Sequence, residues 1–188
     1  MLDNERTAIE QHLSPPFSLA VPRMQTVPFV FCSPHSGRVY TDSFLAASRL
    51  TANALRKSED CYVDELFGGV AALGAPLIAA RFPRAYVDVN REPYELDPEL
   101  FDEPLPAFAN SRSIRVAGGL GTIARVVADS EEIYRKRLPL AVALERIERL
   151  YKPFHGALAA MIDSTARQFG AAMLIDCHSM PSSSTGYV

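Results

Sequence analysis

The chain has 188 residues, 48% of them apolar, enough for one domain with a sizeable core. A formal net charge of −3, from 19 basic and 22 acidic side chains, offers no basic face to nucleic acid. No apolar run reaches bilayer-spanning length, and Met1 to Leu13 lacks the apolar core of a secretory signal. Cys32, Cys61 and Cys177 are odd in number and widely spaced, which reads as reduced thiols in a cytoplasmic protein rather than a disulfide framework or zinc knuckle. We expect residues 1–188 to form a single domain; composition leaves its oligomeric state open.

In chain order, a short helix is expected near Asp3–His12, followed by a proline-bearing extended lead-in. Pro28–Ser33 has the apolar and aromatic composition of a buried strand and breaks at Ser33-Pro34, since proline cannot continue a ladder. Asp42–Ser48 and Thr51–Arg56 suit short helical turns. Glu59–Leu73 reads as a helix with Ser58 as N-cap, a stripe of Val63, Leu66, Phe67 and Val70, and Gly74 as its stop. On such a helix Asp60 and Asp64, four apart, share a face.

Pro76–Arg81 and Ala85–Val89 follow as further strands, with a possible short one at Thr122–Val127. Between them, Glu92 to about Gly119 is rich in Pro, Asp, Glu, Ser and Gly, a long loop of the kind that is often functional. Glu131–Phe169 is helical in pattern, with Pro153 expected to kink or break it and Gly170 to stop it. Ala171–Ile175 is the last strand, and Ser182–Val188 a polar loop. Alternating strands and helices imply an α/β fold with a mostly parallel or mixed sheet flanked by helices. A domain seldom stops just past a buried strand, so we expect an N-terminal portion of a longer catalytic domain.

The chemistry gathers at strand ends. Phe29-Val30-Phe31-Cys32 runs into Ser33-Pro34-His35, and Met173-Leu174-Ile175 runs into Asp176-Cys177-His178. If the two strands are parallel neighbours, His35 and His178 meet at one rim of the sheet, where ligands of open α/β sheets bind. Two imidazoles and a carboxylate suit zinc, which activates water and polarises a carbonyl. The plain alternative for each imidazole is a hydrogen bond to a loop carbonyl. The carboxylate is Asp60 or Asp64, with Asp60 slightly preferred and Glu59 and Glu65 behind them; a helix-surface acid is the alternative for each. Asp176 either orients an imidazole or caps the following turn. Asn90 and Arg91, after Ala85–Val89, offer donors for an acidic substrate, with Arg81 and Arg84 as possible helpers; a structural salt bridge is the alternative. His155 reads as a packing or helix-side histidine. Adjacent Cys177 and His178 would point to opposite faces of a strand, which argues against a local dyad.

Four segments in order, Ser33-Pro34-His35-Ser36-Gly37, Ser58-Glu59-Asp60-Cys61-Tyr62-Val63-Asp64-Glu65-Leu66-Phe67, Arg84 to Pro93, and Asp176-Cys177-His178-Ser179-Met180, resemble the N-formylglutamate amidohydrolase family from about Phe29 onward. The resemblance implies a zinc-dependent hydrolase with a phosphorylase/hydrolase-like α/β fold, related to zinc carboxypeptidases and aspartoacylase. It implies His35 and His178 as ligands, and Asn90 and Arg91 as the grip on a substrate carboxylate. In zinc carboxypeptidase-like enzymes a carboxylate often lies three residues after the first histidine; here that position is Arg38, which becomes a candidate catalytic helper near the metal. In the wider fold group the general-base glutamate lies well after the second histidine, which places it beyond Val188.

The expected activity is hydrolysis of an N-formyl or other N-acyl amino acid, such as N-formylglutamate, to formate and the amino acid. The alternatives are a deacylase of other N-acyl amino acids and a non-catalytic α/β module binding an acidic metabolite or a partner. Neither nucleic acid nor membrane is an expected partner.

Overall fold

The computed structural model describes residues 2–127 and 130–180, so the polar stretch Ser182–Val188 lies outside the described residues. Four strands, β1 (Phe17–Ala20), β2 (Phe29–Ser33), β3 (Leu77–Ala80) and β4 (Met173–Asp176), form one sheet in the order β1-β3-β2-β4. β2 is parallel to both β3 and β4, whereas β1 runs antiparallel along β3. The sheet is thus mixed, as the α/β reading expects. β1 had no sequence counterpart: its four residues, Phe17-Ser18-Leu19-Ala20, carry no β-branched side chain.

Helix α1 spans Leu2–His12, with Asp3 and Glu5 in its first turn and His12 in its last, the arrangement that the helix dipole favours. α2 (Asp42–Ala47) and α3 (Ala52–Leu55) start at Thr41 and Thr51, whose side chains accept from Phe44 N and Ala54 N.

The helix expected over Glu59–Leu73 is broken. Tyr62 adopts a left-handed backbone, φ 62°, which no continuous right-handed helix allows. Only α4 (Val63–Leu66) and a 3-10 helix at Gly68–Leu73 remain, closed by Gly74 at φ 87°. Ser58 caps nothing at the start, because its hydroxyl donates back to Leu55 O. Val63 is buried, but Leu66 is 78% exposed, so the expected apolar stripe is incomplete.

Ala85–Val89 is a buried turn rather than a strand. Tyr86 N and Val87 N both donate to Pro83 O, at 2.9 and 3.3 Å, and Asp88 N donates to Thr122 O at 2.8 Å. Its apolar composition reports burial, which sheet and turn share. Thr122–Val127 makes a single bridge, Val126 to Glu132. The long loop carries a 3-10 turn at Pro98–Leu100 and helix α5 at Ile114–Ala117.

The C-terminal helical run begins at Leu140, not Glu131. Residues 131–138 are not helical; they bridge Ser48 through Tyr134 and Phe101 through Leu138. α6 (Leu140–Arg146) passes through a π-helical turn, Ile147–Tyr151, into α7 (Lys152–Phe169). Pro153 sits in the first turn of α7, directly after the π turn. The wider turn there accommodates the missing N–H and the bulk of the ring, so the proline neither ends nor splits the run. Gly170, φ 79°, ends α7.

The core forms where Val30 and Ile78 of the sheet meet Phe82, Tyr86, Leu150 and Phe154, all at most 1% exposed. β4 pairs with β2 at the sheet edge, and Met173 and Leu174 are 55% and 43% exposed, against the expectation of a buried strand.

Candidate metal centre and cavity

The register of β2 and β4 builds the centre. Cys32 pairs with Asp176, and Cys177 N then donates to Cys32 O at 2.7 Å, so both strands end level. His35 and His178, each just past its strand, come to one rim with ring centroids 4.9 Å apart. Gly37 lets the loop after β2 press on the Arg81-Phe82 backbone: a Cβ there would lie 2.0 Å from Phe82 O. Asp60 N donates to His35 O at 3.1 Å, which ties the acidic segment to the same loop.

Asp60 Oδ2 lies 3.5 Å from His35 Nδ1 and 2.8 Å from His178 Nδ1. One ligand atom from each of His35, Asp60 and His178 falls within 4.8 Å of the others. His35 Nε2 is held at 2.7 Å by Asp88 Oδ1, which fixes the proton on Nε2 and turns the Nδ1 lone pair toward Asp60. That Nδ1 is buried and has no hydrogen-bond partner. A buried imidazole nitrogen left unpaired beside a carboxylate is costly without a ligand and suits a cation. The donor set fits zinc.

Electrostatics agree. Burial pushes the Asp60 carboxyl upward, but the imidazoles of His35 and His178 outweigh it and lower the pKa to about 2. Asp88 is buried too, yet His35, Arg84 and Arg91 hold it well below the usual carboxylate range. Burial alone would lower the pKa of His35; the flanking carboxylates of Asp60 and Asp88 raise it instead. Asp60 and Asp88 are therefore charged, and the pair attracts either a proton or a metal ion.

Asp176 Oδ2 stands 2.9 Å from His178 Nε2, and Asn90 Nδ2 stands 3.3 Å from the same nitrogen. Ser179 Oγ donates to Asp60 Oδ1 at 3.1 Å. The structure does not bring Asp64 to this cluster: with the helix broken at Tyr62, its Oδ2 takes Arg38 Nη2 at 3.2 Å. Arg38 itself also binds Glu65 at 2.6 Å and is a surface side chain. Arg91 donates to Leu120 O and to Asn90 O, at 3.1 and 2.7 Å, and so fastens its own loop. His155 Nε2 donates to Val89 O at 2.8 Å, beside Tyr151, as a packing histidine does.

A cavity of about 650 Å³ opens next to the cluster, walled by Asp60, Asp88, Arg84, Lys57, Leu120 and Val126 among others. Arg84 donates Nε to Asp88 Oδ2 at 3.0 Å and forms part of this wall. Asp88 as the partner of His35 is the residue that sequence reasoning missed. Its signal was present: an acid closing a buried apolar run must be paired. Cys32, Cys61 and Cys177 are all free thiols. No helix among the described residues is long and apolar enough to cross a membrane.

The N-formylglutamate amidohydrolase family model matches residues 27–187, which include every residue of this cluster. The chain belongs to the N-formylglutamate amidohydrolase family. It is 26% identical to N-formylglutamate deformylase of Pseudomonas putida over 158 residues, 83% of this chain and 53% of that protein. The corresponding Pseudomonas aeruginosa enzyme is 29% identical over 159 residues with the same coverage. Among solved structures, N-formylglutamate amidohydrolase from Ralstonia eutropha JMP134 superposes with a TM-score of 0.83 at 36% identity, covering 90% of this chain and 59% of the other. The chain thus spans about half the length of the curated relatives it matches.

Proposed function

We propose that this chain carries the metal-binding and substrate-binding part of an amidohydrolase acting on N-formyl amino acids, N-formylglutamate foremost. The observation that carries this reading is the convergence of two strand-end imidazoles on Asp60, with His35 Nδ1 buried and unpaired. Its family membership and the names of its relatives support the substrate.

In this reading His35 Nδ1, Asp60 and His178 Nδ1 hold a zinc ion. Such an ion supplies a Lewis acid that activates water near neutral pH and polarises the formyl carbonyl. Asp88 keeps His35 in the ligating tautomer, and Asp176 does the same for His178 through Nε2. Arg84, anchored on Asp88, meets the carboxylate of the substrate in the cavity. Asn90 adds an amide donor beside His178, and Arg91 braces the Asn90 loop. Asp64 and Arg38 act on each other, away from the reacting groups. The reaction releases formate and a free amino acid, and the free thiols of Cys32, Cys61 and Cys177 support a cytoplasmic enzyme.

Metal analysis of the purified chain, with formate release from N-formylglutamate, tests this. About one zinc per chain and formate release are expected; a chain that takes up no divalent metal refutes it. A second reading, a module that binds metal and an acidic metabolite without turnover, is favoured by one observation. Asp60, Asp88 and Asp176, the carboxylates at the cluster, are all engaged with imidazoles, which leaves none of the three free as a general base. Metal uptake without formate release from any N-formyl or N-acetyl amino acid would select it.

A further inference from the structure

The cavity beside the metal centre has an uneven stock of charge. Among the described residues three carboxylates stand in its wall, and internal partners occupy all of them. Asp60 and Asp88 face the imidazoles. Glu59 is side-chain buried and accepts from Tyr40 Oη at 2.6 Å and Arg56 Nε at 3.1 Å. Two cations share the wall, Arg84 and Lys57. Arg84 is fixed on Asp88, close to the imidazoles. Lys57 belongs to the 3-10 turn Arg56–Ser58, and among the described residues its Nζ pairs with Glu131, at 3.2 Å, with both side chains roughly half exposed.

An exposed Lys–Glu pair of this kind is worth little and exchanges readily with another carboxylate. Glu131 therefore stands where an anionic group of a ligand would stand. One cation near the reacting centre and a second, loosely paired one elsewhere in the wall match a molecule with two carboxylates.

We propose that Lys57 is a specificity-determining residue that binds the side-chain carboxylate of a dicarboxylic N-acyl amino acid, with Glu131 as the resting counter-ion the ligand displaces. The inference rests on the proposed function for the identity of the substrate, but the subsite itself requires only a dicarboxylate. Arg84 takes the carboxylate nearer the metal centre, and Lys57 takes the far one. The same geometry gives N-formylglutamine, neutral at that end, no such partner.

Calorimetry on the intact chain tests this with glutarate, butyrate, N-formylglutamate and N-formylglutamine. Lys57→Met is expected to weaken glutarate and N-formylglutamate about tenfold, the loss of one charge-assisted contact, while leaving butyrate and N-formylglutamine unchanged. Glu131→Gln is expected to tighten the two dicarboxylates and leave the other two alone. Lys57 is exposed, so neither change threatens folding. If Lys57→Met weakens all four ligands equally, or none, the proposal fails, and it fails equally if wild-type protein binds glutarate no better than butyrate. Glutarate binding that depends on Lys57, without formate release from any N-formyl amino acid, upholds the subsite and refutes the hydrolase reading instead.

Discussion

His35 Nε2 and Asp88 Oδ1 are 2.7 Å apart, both buried, and this contact decides which nitrogen of the first imidazole can serve a metal. Asp88→Asn removes the charge that stabilises the Nε2–H tautomer and can present an N–H in place of the acceptor. Metal affinity should fall about 10- to 100-fold, the usual cost of losing such a partner. Competition with a fluorescent zinc chelator measures it. His178→Ala removes a ligand outright and should leave less than stoichiometric metal after dialysis. Arg38→Ala, by contrast, should leave metal affinity unchanged, because Arg38 is bound to Asp64 and Glu65.

Acid should loosen the metal-free chain through Asp60. Its folded-state pKa is lowered from 3.8 to about 2, because the imidazoles outweigh burial. The sign follows: a depressed carboxyl contributes stability above its ordinary pKa and loses it as pH falls toward about 2. Thermal unfolding of metal-free protein between pH about 5 and 2 should therefore show a falling Tm, and Asp60→Asn should flatten the slope. His35 acts in the opposite sense, since its pKa is raised. Its contribution is complete below the ordinary value of 6.5 and disappears as pH climbs through the raised one. Zinc needs the imidazole neutral, so the rise in Tm on adding zinc should grow with pH across that window.

Gly37→Ala should misplace the first histidine without touching it. The added methyl would meet Phe82 O at 2.0 Å, and neither backbone can give way cheaply. A cost of about 1–3 kcal/mol in urea unfolding is expected. Metal affinity should drop together with stability, because the displaced loop carries both His35 and the carbonyl that anchors Asp60.

Arg146 is buried and paired with Glu5, which ties α1 to α6. Its guanidinium also lies 3.9 Å from the Tyr86 ring centroid and donates to Tyr134 Oη at 2.7 Å. Glu5→Gln should destabilise by about 3–5 kcal/mol, because it leaves a buried cation without its anion. The double variant Glu5→Gln with Arg146→Met should recover part of that loss, and denaturant midpoints with a double-mutant cycle give the answer.

Several features were legible from residues alone because their causes are local. An apolar run broken by Ser33-Pro34, with a histidine next, specifies a strand end within a few residues of chain. The same holds for Met173–Asp176 before His178, for Gly74 and Gly170 as helix stops, and for the helix at the N-terminus. The pairing of β2 with β4, which makes two distant histidines neighbours, follows from sheet order and register, and no local pattern records those. Periodicity predicted a helix that would place Asp60 and Asp64 on one face, but the left-handed Tyr62 separates them and a backbone bond to His35 O selects Asp60. Ala85–Val89 looked like a strand because burial alone demands apolar side chains. Only the fold shows it as a turn, and only that turn carries Asp88 to His35. Sequence determined which residues stand at the ends of elements; tertiary packing decided which of those ends meet, because meeting depends on contacts between segments far apart in the chain.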